Sequence, residues 1–535
     1  MADSKSTKRT ISLKRYFVLG EPWVWLTGGA LGSIILMIFL LIFVCAKNGL
    51  GVFWPAAMVR MTLQSGEQVM GEVIKEEHPG TPKHNIQLKV GNRDLNGLDF
   101  KWVKASDVVA TDNPFEAVQI EREEYGNFYG FLQNFSKRSV EEVFRNALTK
   151  IQPLKDQFEQ ANDVVADISF AIQQRKQELK KDAYHNNETL SSQKISEDPQ
   201  LQELESEFSK AMVQLNKVDD QLNGHVLQLT DVSGKKKTLK VREIVRFFQP
   251  NSMSFSEKVG LYVEKTVEVL IAEPRESNTE GGLFPAIFGT VMLVILMSIL
   301  SFPLGVIAGI YLREYAKEGP LVRMIRIAVN NLAGIPSIVY GIFGLGFFVY
   351  GVGSGLDQIF FPERLPEPTM GTGGILWASL TLGILTIPVV IVATEEAFGS
   401  IPGEIRQNSF ALGATRIQTI IRVLLPSASP GIMTGFILAM SRAAGEVAPL
   451  MITGVVKLAP DLPLDGHFPF VHMERKFMHL GFHIYDISCQ SPNVEAAKPM
   501  VYVTTMVLVF VVLALSSLAI YFRNHMQRKF VGRSI

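Results

Sequence analysis

Long apolar runs occur once near the start of the chain and repeatedly after residue 282. Runs close to the ~20 residues needed to cross hydrocarbon are found at 24–45, 283–312, 333–352, 373–394, 431–455 and 500–522. The first run is longer than a signal-peptide core of roughly 7–15 residues, and no A-x-A cleavage site follows it. The pattern therefore predicts a membrane α-helical fold with six transmembrane helices, the first of them uncleaved.

Basic residues cluster at one set of ends of these runs. They are Lys5, Lys8, Arg9, Lys14 and Arg15 before the first run, Arg313, Lys317, Arg323 and Arg326 after the second, Arg406, Arg416 and Arg422 after the fourth, and Arg523, Arg528, Lys529 and Arg533 after the sixth. Since cytoplasmic loops carry an excess of Lys and Arg, both termini are expected in the cytoplasm. Residues 1–23 and 526–535 are then cytoplasmic tails, and residues 46–282, called the insertion below, lie on the external side.

The insertion has two kinds of pattern. Short alternating runs such as "MVRMTLQSGEQVMGEVI" predict strands and hairpins at 55–125 and again at 225–250, which together form a β-module. Between them, apolar residues recur three and four positions apart among charges, as in amphipathic helices, with "YHNNETLSSQK" as the turn. The sequence therefore predicts an external α+β insertion in which an antiparallel helical hairpin, residues 137–223, projects from the β-module with its tip near Asn186 clear of the bilayer.

The composition excludes several classes of function. The chain is 47% hydrophobic and 19% charged with a net charge of zero, which gives no basic signature of nucleic-acid binding. Cys45 and Cys489 are too few for a disulfide framework or a cysteine metal site. His185 and His225 are isolated and are interpreted as solvated surface residues. No catalytic constellation and no metal site is predicted.

Two charges interrupt the fifth apolar run, in "SRAAGEVAPLM". An ionisable residue in a span costs roughly 2.5–3.5 kcal/mol on insertion scales, so it is expected in the bundle interior or on a wet pathway. Arg442 and Glu446 are four apart and would share one helix face. One interpretation is an ion pair that lets both charges tolerate burial. The other is that the two residues bind a translocated solute. The two interpretations are compatible.

A polar stretch between the fourth and fifth runs carries a second signal. Residues Ser409 to Leu425 have helical spacing, with Gly413 and Pro426 as punctuation. One interpretation is a helix lying on the membrane surface. The other rests on spacing, because Gly413, nine residues, and then Val423-x-Leu425-Pro426 resemble the coupling motif of ABC-importer permeases, E-A-A-x3-G-x9-I-x-L-P. The head of that motif differs, since Gln407, Asn408 and Ser409 replace the acidic residue and the two alanines.

Four further stretches resemble one permease family. They are "FGTVMLVILMSILSFPLGVIAGIYLREYA", "NNLAGIPSIVYGIFGLGFF", "LTIPVVIVATEEAF" and "SRAAGEVAPL". In this order they are similar to the permease subunits of the phosphate-specific ABC importer, especially the A-type subunit. The resemblance covers residues 283–525, the predicted permease core, and does not extend to the insertion.

The resemblance implies a transport subunit, not an enzyme, of an importer for inorganic phosphate in the bacterial inner membrane. Arg442 and Glu446 would line the path, with the guanidinium fork binding the anion and the carboxylate accepting its P–OH proton. Ala411, Leu412, Gly413, Val423, Leu425 and Pro426 would form the coupling site for an ATPase. The chain has no G-x-x-x-x-G-K-[ST] motif, so ATP with Mg²⁺ would be bound by a partner, and no cofactor is expected here.

The expected partners are a second related permease, an ATPase dimer, a periplasmic phosphate-binding protein, phosphate and membrane lipid, without nucleic acid. Two alternatives remain. In the first, the chain would be a permease for another oxyanion or small solute. In the second, it would be a membrane receptor or scaffold with an external binding domain. The helical hairpin is either a dock for the binding protein or a decoration unrelated to transport.

Overall fold

Six helices have the length and composition of membrane spans. A computed structural model describes residues 21–132, 137–186, 195–491 and 494–531. Within these residues the spans are Trp23–Gly51, Phe284–Tyr315, Ser337–Phe360, Ile375–Gly399, Arg416–Gly445 and Val494–Arg528, numbered first to sixth below. The prediction of six spans and an added α+β region is confirmed. Residues 1–20 and 532–535 of the predicted tails, and most of the predicted hairpin turn at 187–194, lie outside the described residues.

The fourth span is the centre of the bundle. It packs against the second span on one side and the fifth on the other, and its side chains Ile375, Ala378, Leu382 and Leu385 belong to one buried cluster. The first span, in contrast, exposes nearly all of its side chains and meets the sixth only near its own end, where Gly49 approaches the backbone of Tyr502. An apolar surface of this extent is the surface that a bilayer covers.

Shorter helices connect the spans. The helices of the whole described chain are α1 Glu21–Gly51, α2 Lys137–His185, α3 Pro199–Asn223, α4 Phe255–Ile271, α5 Phe284–Ile310, α6 Pro320–Leu332, α7 Ser337–Phe343, α8 Ser354–Phe360, α9 Ile375–Gly399, α10 Gly403–Ala411, α11 Arg416–Thr419, α12 Leu425–Gly445, α13 Ala448–Thr453, α14 Leu480–Cys489 and α15 Val494–Val531, besides one turn at Arg93–Asn96. Three stretches are π-helical and continue a neighbouring helix: Tyr311–Tyr315, Gly344–Gly353 and Ile420–Leu424.

The insertion contains two antiparallel five-stranded sheets, ordered β4-β3-β2-β1-β5 and β10-β6-β7-β8-β9. The strands are β1 Met58–Leu63, β2 Gln68–Glu77, β3 Asn85–Lys89, β4 Phe100–Lys104, β5 Val108–Asp112, β6 Val118–Arg122, β7 Phe128–Leu132, β8 Val226–Thr230, β9 Lys236–Lys240 and β10 Ile244–Phe248, with a short pair β11 Pro274–Arg275 and β12 Glu280–Gly281. Gly66 and Gly234, both with φ near 80°, form the tight turns after β1 and β8. The strands β1 to β10 are called the β-module below.

The helices α2 and α3 pair as an antiparallel hairpin, called the arm below. Its base belongs to the β-module, because Phe144 stacks on Phe247 with ring centroids 4.2 Å apart and Ile151 and Leu222 share a buried cluster with Val241. The fusion of helix base and sheet gives the arm a fixed origin.

The far half of the arm rests on loops of the spans. Gln177 accepts a hydrogen bond from Arg364 at 2.7 Å, and Asp167 lies 3.3 Å from His467. These two loops follow the third span and the α13 helix. That the arm tip stands clear of the bilayer stays a prediction. Polar pairs between α2 and the loops hold the arm against the spans.

The helix α4 returns the chain from the β-module to the second span. Ser254 and Glu257 form a capping box at its start. Its polar face binds the sheet through Arg246, which pairs with Glu264 and Glu268. Its other face exposes Phe255, Val259, Val263 and Val267, beside Trp54 at the end of the first span. The β-module is thereby held close to the ends of the spans.

Candidate translocation site and coupling segment

The fifth span ends at the predicted charged pair. Gly445 is the last residue of α12, and Glu446 has φ −78° and ψ 136°, an extended conformation. The expectation of one helix face shared by Arg442 and Glu446, within a span at 431–455, is therefore wrong. Pro449 explains the end of the helix, because it has no N–H to donate to the carbonyl of Gly445. The chain resumes as the short helix α13 after Val447. Residues 446–447 are called the break below.

Arg442 and Glu446 still meet across this break. The Nε of Arg442 lies 3.4 Å from Oε1 of Glu446, and their side chains are 36% and 20% exposed. The contact is single and at the long end of hydrogen-bond distances. Either residue of the pair can therefore exchange the other for a polar solute. Arg442 also lies in the last turn of α12, where the helix dipole favours a positive charge.

The break lies near the middle of the bundle. Ala443, next to Arg442, is fully buried in a cluster with Leu293, Met297 and Leu385. These three residues lie near the middle of the second and fourth spans. Irregular backbone at membrane depth is tolerated only inside protein or along a water-filled cavity. The location therefore satisfies the condition for a site inside the membrane, with one cation and one carboxylate.

A second irregular segment precedes the helix α7, which packs against α13. Residues 333–336 separate α6 from α7, and the hydroxyl of Tyr340 in α7 donates to the carbonyl of Leu332 at 2.7 Å. A Cβ at Gly341 would lie 2.7 Å from Cα of Pro449, so glycine is required for this approach. Tyr340 is close enough to Arg442 to interact with it electrostatically. Sequence reasoning missed Tyr340 and Gly341, although "AGIPS" gave a turn signal before them.

Buried histidines lie beside the break without adding charge. A Cβ at Gly481 would lie 2.8 Å from the Val447 side chain, and Gly481 opens α14, which is outside the six spans. Burial lowers the pKa of His479 and of His483 to about 4, so both are neutral at pH 7. Asp486 on the same helix pairs with Lys457 at 3.1 Å. The two histidines therefore place no imidazolium beside Val447 at pH 7.

The predicted coupling segment forms an exposed tip on the side of the bundle away from the insertion. Ala411 ends α10, and Gly413 has φ +80° with open space where a Cβ would stand. The tight-turn interpretation of Gly413 agrees with this geometry. Leu412 is 90% exposed, with Phe410 and Ile417 exposed beside it. Residues 411–413 are called the tip below.

The remaining coupling residues lie behind the tip, in the first turns of the fifth span. The expected single helix from Ser409 to Leu425 is corrected, because one helix ends at Ala411 and another begins at Arg416, capped by Thr415 and Gln418. Pro426 does not end the second helix. The chain passes through the π-helical turn 420–424, a common accommodation of proline, and Val423, Leu425 and Pro426 are half-buried there.

The tip is attached to the second span by charges that sequence reasoning did not single out. Arg406 donates to Glu314 at 2.7 Å and to the carbonyls of Ile401 and Phe398 at 2.9 and 2.7 Å. Arg416 donates to the carbonyl of Glu314 and lies 4.9 Å from the Tyr315 ring centroid. These contacts join the segments on both sides of the tip to the end of the second span.

The altered head of the motif has a structural role of its own. Ser409 is buried and its hydroxyl lies 2.9 Å from that of Thr419, which joins α10 to α11. Gln407 and Asn408 are exposed. The third position of the head thus stabilises the turn, while the first two face solvent.

Comparison with known proteins identifies the family. Residues 301–530 match the model of the binding-protein-dependent transport system inner membrane component. The chain is 31% identical to the "Probable phosphate transport system permease protein PstA" of Methanocaldococcus jannaschii, over 44% of this chain and 74% of that protein. The chain belongs to this permease family. It is a membrane-embedded permease subunit of an ABC transporter.

The chain spans only about half to three fifths of two further curated relatives. The permease is 34% identical to the "Probable ABC transporter permease protein YqgH" of Bacillus subtilis, over 36% of this chain and 59% of that one. It is 35% identical to the phosphate transport system permease protein PstA of Mycobacterium leprae and spans 51% of it. A solved chain of the MetNI methionine ABC transporter is 18% identical, with a TM-score of 0.33, over 46% of the permease and 94% of that chain.

The insertion lies outside the family match. The matched region begins at residue 301, so it contains Arg442, Glu446, the tip and about half of the second span, but none of the β-module or the arm. The permease therefore carries a shared membrane core and an additional region whose function has to be inferred from its own contacts.

Proposed function

We propose that this permease forms half of the translocation path of an ATP-driven importer of inorganic phosphate. The observation that carries the proposal is the pairing of Arg442 with Glu446 at a helix break near the middle of the spans. Similarity to proteins named phosphate transport permeases supports the same substrate.

The chemistry of the pair fits a protonated oxyanion. Guanidinium presents a planar fork of donors to two oxygens of phosphate. At neutral pH phosphate still carries at least one P–OH, which donates to a carboxylate, whereas sulfate has no proton to donate and would meet the negative charge of Glu446. Because Arg442 holds Glu446 only through Nε at 3.4 Å, the outer edge of the guanidinium can bind phosphate while the carboxylate accepts its proton.

Energy for transport would come from a separate ATPase dimer. The exposed Leu412 and the turn at Gly413 give a compact apolar knob, and a single exposed leucine flanked by Phe410 suits a pocket on a protein partner. The contacts of Arg406 and Arg416 with Glu314 would transmit closure of the ATPase pair to the second and fifth spans. Ala411, Val423, Leu425 and Pro426 would support the knob.

The proposed assembly fixes the orientation. The tip lies in the cytoplasm with both termini, the insertion lies outside in the periplasm, and the membrane is the bacterial inner membrane. A second related permease completes the path, and a periplasmic binding protein delivers phosphate. The distribution of basic residues supports this orientation. ATP and Mg²⁺ are bound by the ATPase, not by this chain.

Solute uptake in cells tests the proposal. Cells lacking this chain are complemented with it, and uptake of labelled phosphate is measured with excess unlabelled phosphate, sulfate or molybdate as competitor. We expect uptake of labelled phosphate to depend on the chain and to be inhibited only by unlabelled phosphate. We also expect the chain to copurify with an ATPase. Phosphate uptake that is unaffected by the deletion, together with lost uptake of another oxyanion, would reassign the substrate while leaving the transport role intact.

A further inference from the structure

One face of the helix α4 is apolar and exposed. Phe255, Val259, Val263, Val267 and Ile271 follow one another at intervals of four residues, and their exposed fractions range from 38% to 74%. Residues four apart are neighbours on a helix surface, so these five form one stripe along a helix of about 25 Å. We call it the apolar stripe. A contiguous exposed patch of this kind marks contact with a membrane or with another molecule.

The opposite face of α4 is occupied by the β-module. Arg246 of β10 pairs with Glu264 and with Glu268, each at 2.9 Å. Lys265 pairs with Glu121 of β6 at 2.5 Å. The charged side of the helix is thus bound to the sheet, and the apolar stripe is turned away from it. The β-module therefore does not cover the stripe.

The helix α4 lies level with the ends of three spans. Val269 of α4 shares one buried cluster with Phe53, Leu283 and Met500. These three residues lie just after the first span, directly before the second and near the start of the sixth. The amide of Leu283 also donates to the carbonyl of Val269 at 2.8 Å. Because the three span ends lie together on the side of the insertion, α4 lies at the membrane surface on that side.

The apolar stripe continues the exposed surface of the first span. Trp54 follows that span, and the centroid of its ring lies 5.8 Å from that of Phe255 and 6.2 Å from that of Tyr262. Trp54 is itself exposed, and tryptophan is enriched where a membrane protein crosses from lipid to water. Exposed apolar side chains therefore extend from the first span, through Trp54, onto α4. The first span has the length of a membrane crossing, so the same bilayer is the occupant that this continuity favours.

We propose that α4 is an interfacial helix whose apolar stripe lies in the lipid leaflet on the side of the insertion. Such a helix lies in the membrane plane with its apolar face about 5–10 Å deep, at the boundary of headgroups and acyl chains. The stripe contains no charged residue, so its contact with lipid depends on apolar area and not on anionic headgroups. Because the other face of α4 binds the sheet, the membrane surface fixes the height of the β-module above the spans.

Spin labelling of the full chain in phosphatidylcholine nanodiscs tests the proposal. Labels at Val263→Cys or Val267→Cys, in a chain with Cys45→Ala and Cys489→Ala, collide with oxygen, which partitions into lipid, or with a water-soluble nickel chelate. Val213→Cys, an exposed valine of α3, is the matched control. The ratio of oxygen to nickel collisions at 263 and at 267 should be several times the ratio at 213. Replacing part of the phosphatidylcholine by phosphatidylglycerol should leave these ratios unchanged.

The outcome separates lipid from other occupants of the apolar stripe. Labels that meet nickel in the isolated chain and are protected only in the assembled transporter would assign the stripe to a partner subunit and overturn the proposal. Dipolar broadening between labels, which requires two stripes close together, would indicate a second copy of the chain and overturn it as well. Nickel collisions at both positions in both preparations would place the stripe in water, with the same consequence.

Discussion

Arg442 combines two requirements at a single position. It lies in the last turn of α12, where the unpaired carbonyls of a helix end favour a cation, and it lies beside a backbone break that Pro449 imposes. A charge at this depth is tolerated because the break leaves both side chains partly exposed. The same exposure makes the guanidinium available to an anion.

Substitution of Arg442 should separate transport from assembly. Arg442→Gln should abolish phosphate uptake, because the anion would lie unpaired in a low dielectric. Arg442→Lys should reduce uptake by at least about tenfold, since it keeps the charge and loses the planar fork. Arg528→Gln, exposed near the end of α15, is the matched control. Labelled phosphate uptake and copurification of the ATPase are measured together, and full uptake by Arg442→Gln would remove this residue from the path.

The buried histidines of α14 predict a pH dependence of stability. Burial lowers the pKa of His479 and His483 from 6.5 to about 4, so between these values the unfolded chain binds protons that the folded chain does not. The full stabilisation is present above pH 6.5. The free energy of unfolding should then fall towards pH 4, by on the order of 1 kcal/mol per pH unit for each histidine. Thermal unfolding in detergent at a series of pH values measures it.

A pair of histidine variants checks the cause. His483→Leu should flatten this pH dependence by about half, because one of two equivalent groups is lost. His225→Leu, at an exposed position before β8, should leave the dependence as it is in the parent. An unchanged slope in His483→Leu would assign the acid sensitivity to other groups.

Sequence reasoning identified Arg442 and Glu446 but not the break between them. Charged residues inside an apolar run are visible at once, whereas apolar residues continue on both sides of residues 446–447 and conceal the end of the helix. Pro449 was the available signal, because it must disturb a hydrogen bond to Gly445. Tyr340 could not be found in this way, since its proximity to Arg442 depends on the packing of α7 against α13.

At the scale of elements, the coupling segment is a helix, a turn and a second helix that continues into the fifth span. Its turn was predictable, because Gly413 is punctuation within a helical pattern. Its attachment was not, because Arg406 and Glu314 are 92 residues apart and no local spacing connects them. The exposed tip was therefore predictable from the sequence, whereas the contacts that attach it to the second span were found only in the structure.

The left-handed backbone conformation constrains position 413 more than the space available for a side chain does. A left-handed backbone costs most residues roughly 1–2 kcal/mol, whereas Asn tolerates it, and the site around Gly413 is open. Gly413→Val should therefore reduce ATPase copurification and phosphate uptake together, while Gly413→Asn should retain both. Gly403→Val, at an equally open position with ordinary φ, is the control. Equal activity of the Val and Asn variants at position 413 would exclude a conformational role.

At the scale of the whole molecule, the insertion is connected to the spans at both ends. Its base lies at the ends of the first and sixth spans, where Trp54 packs on Phe255 of α4 and a cavity is lined by both the β-module and Met500. Its arm contacts the loops at Arg364 and His467. The arm thus lies over the side of the core from which a binding protein would deliver phosphate. Sequence patterns could not predict this arrangement, because they indicate the lengths of α2 and α3 but not the direction of the arm relative to the spans.

Removal of the far half of the arm tests a docking role. Ala161 and Ala211 line the same gap between α2 and α3, so residues 164–210 can be replaced by a short loop while Phe144, Ile151 and Leu222 keep the base packed. Because capture would be weakened and the path left intact, the half-saturation concentration for phosphate should rise more than the maximal rate falls. Uptake is measured over the whole concentration range.

The outcome distinguishes docking from its alternatives. Asp167→Asn, which weakens one contact with the core and keeps the arm, should have a smaller effect in the same direction. A reduced maximal rate with unchanged half-saturation would indicate that the arm acts on the moving spans. Uptake indistinguishable from the parent would show that the arm serves something other than transport.

The two ends of the arm enter neighbouring antiparallel strands, with Leu132 opposite Leu229 and Phe131 opposite Thr230. Topologically the arm is an enlarged hairpin loop, so a change in its length leaves the register of β7 and β8 unchanged. Adding or deleting seven residues in each helix would move the far end by about 10 Å. The length of the arm can therefore change without a change in the β-module, while the contacts of α2 with Arg364 and His467 would have to form at other positions. The far end of the arm is accordingly a suitable place to attach a label.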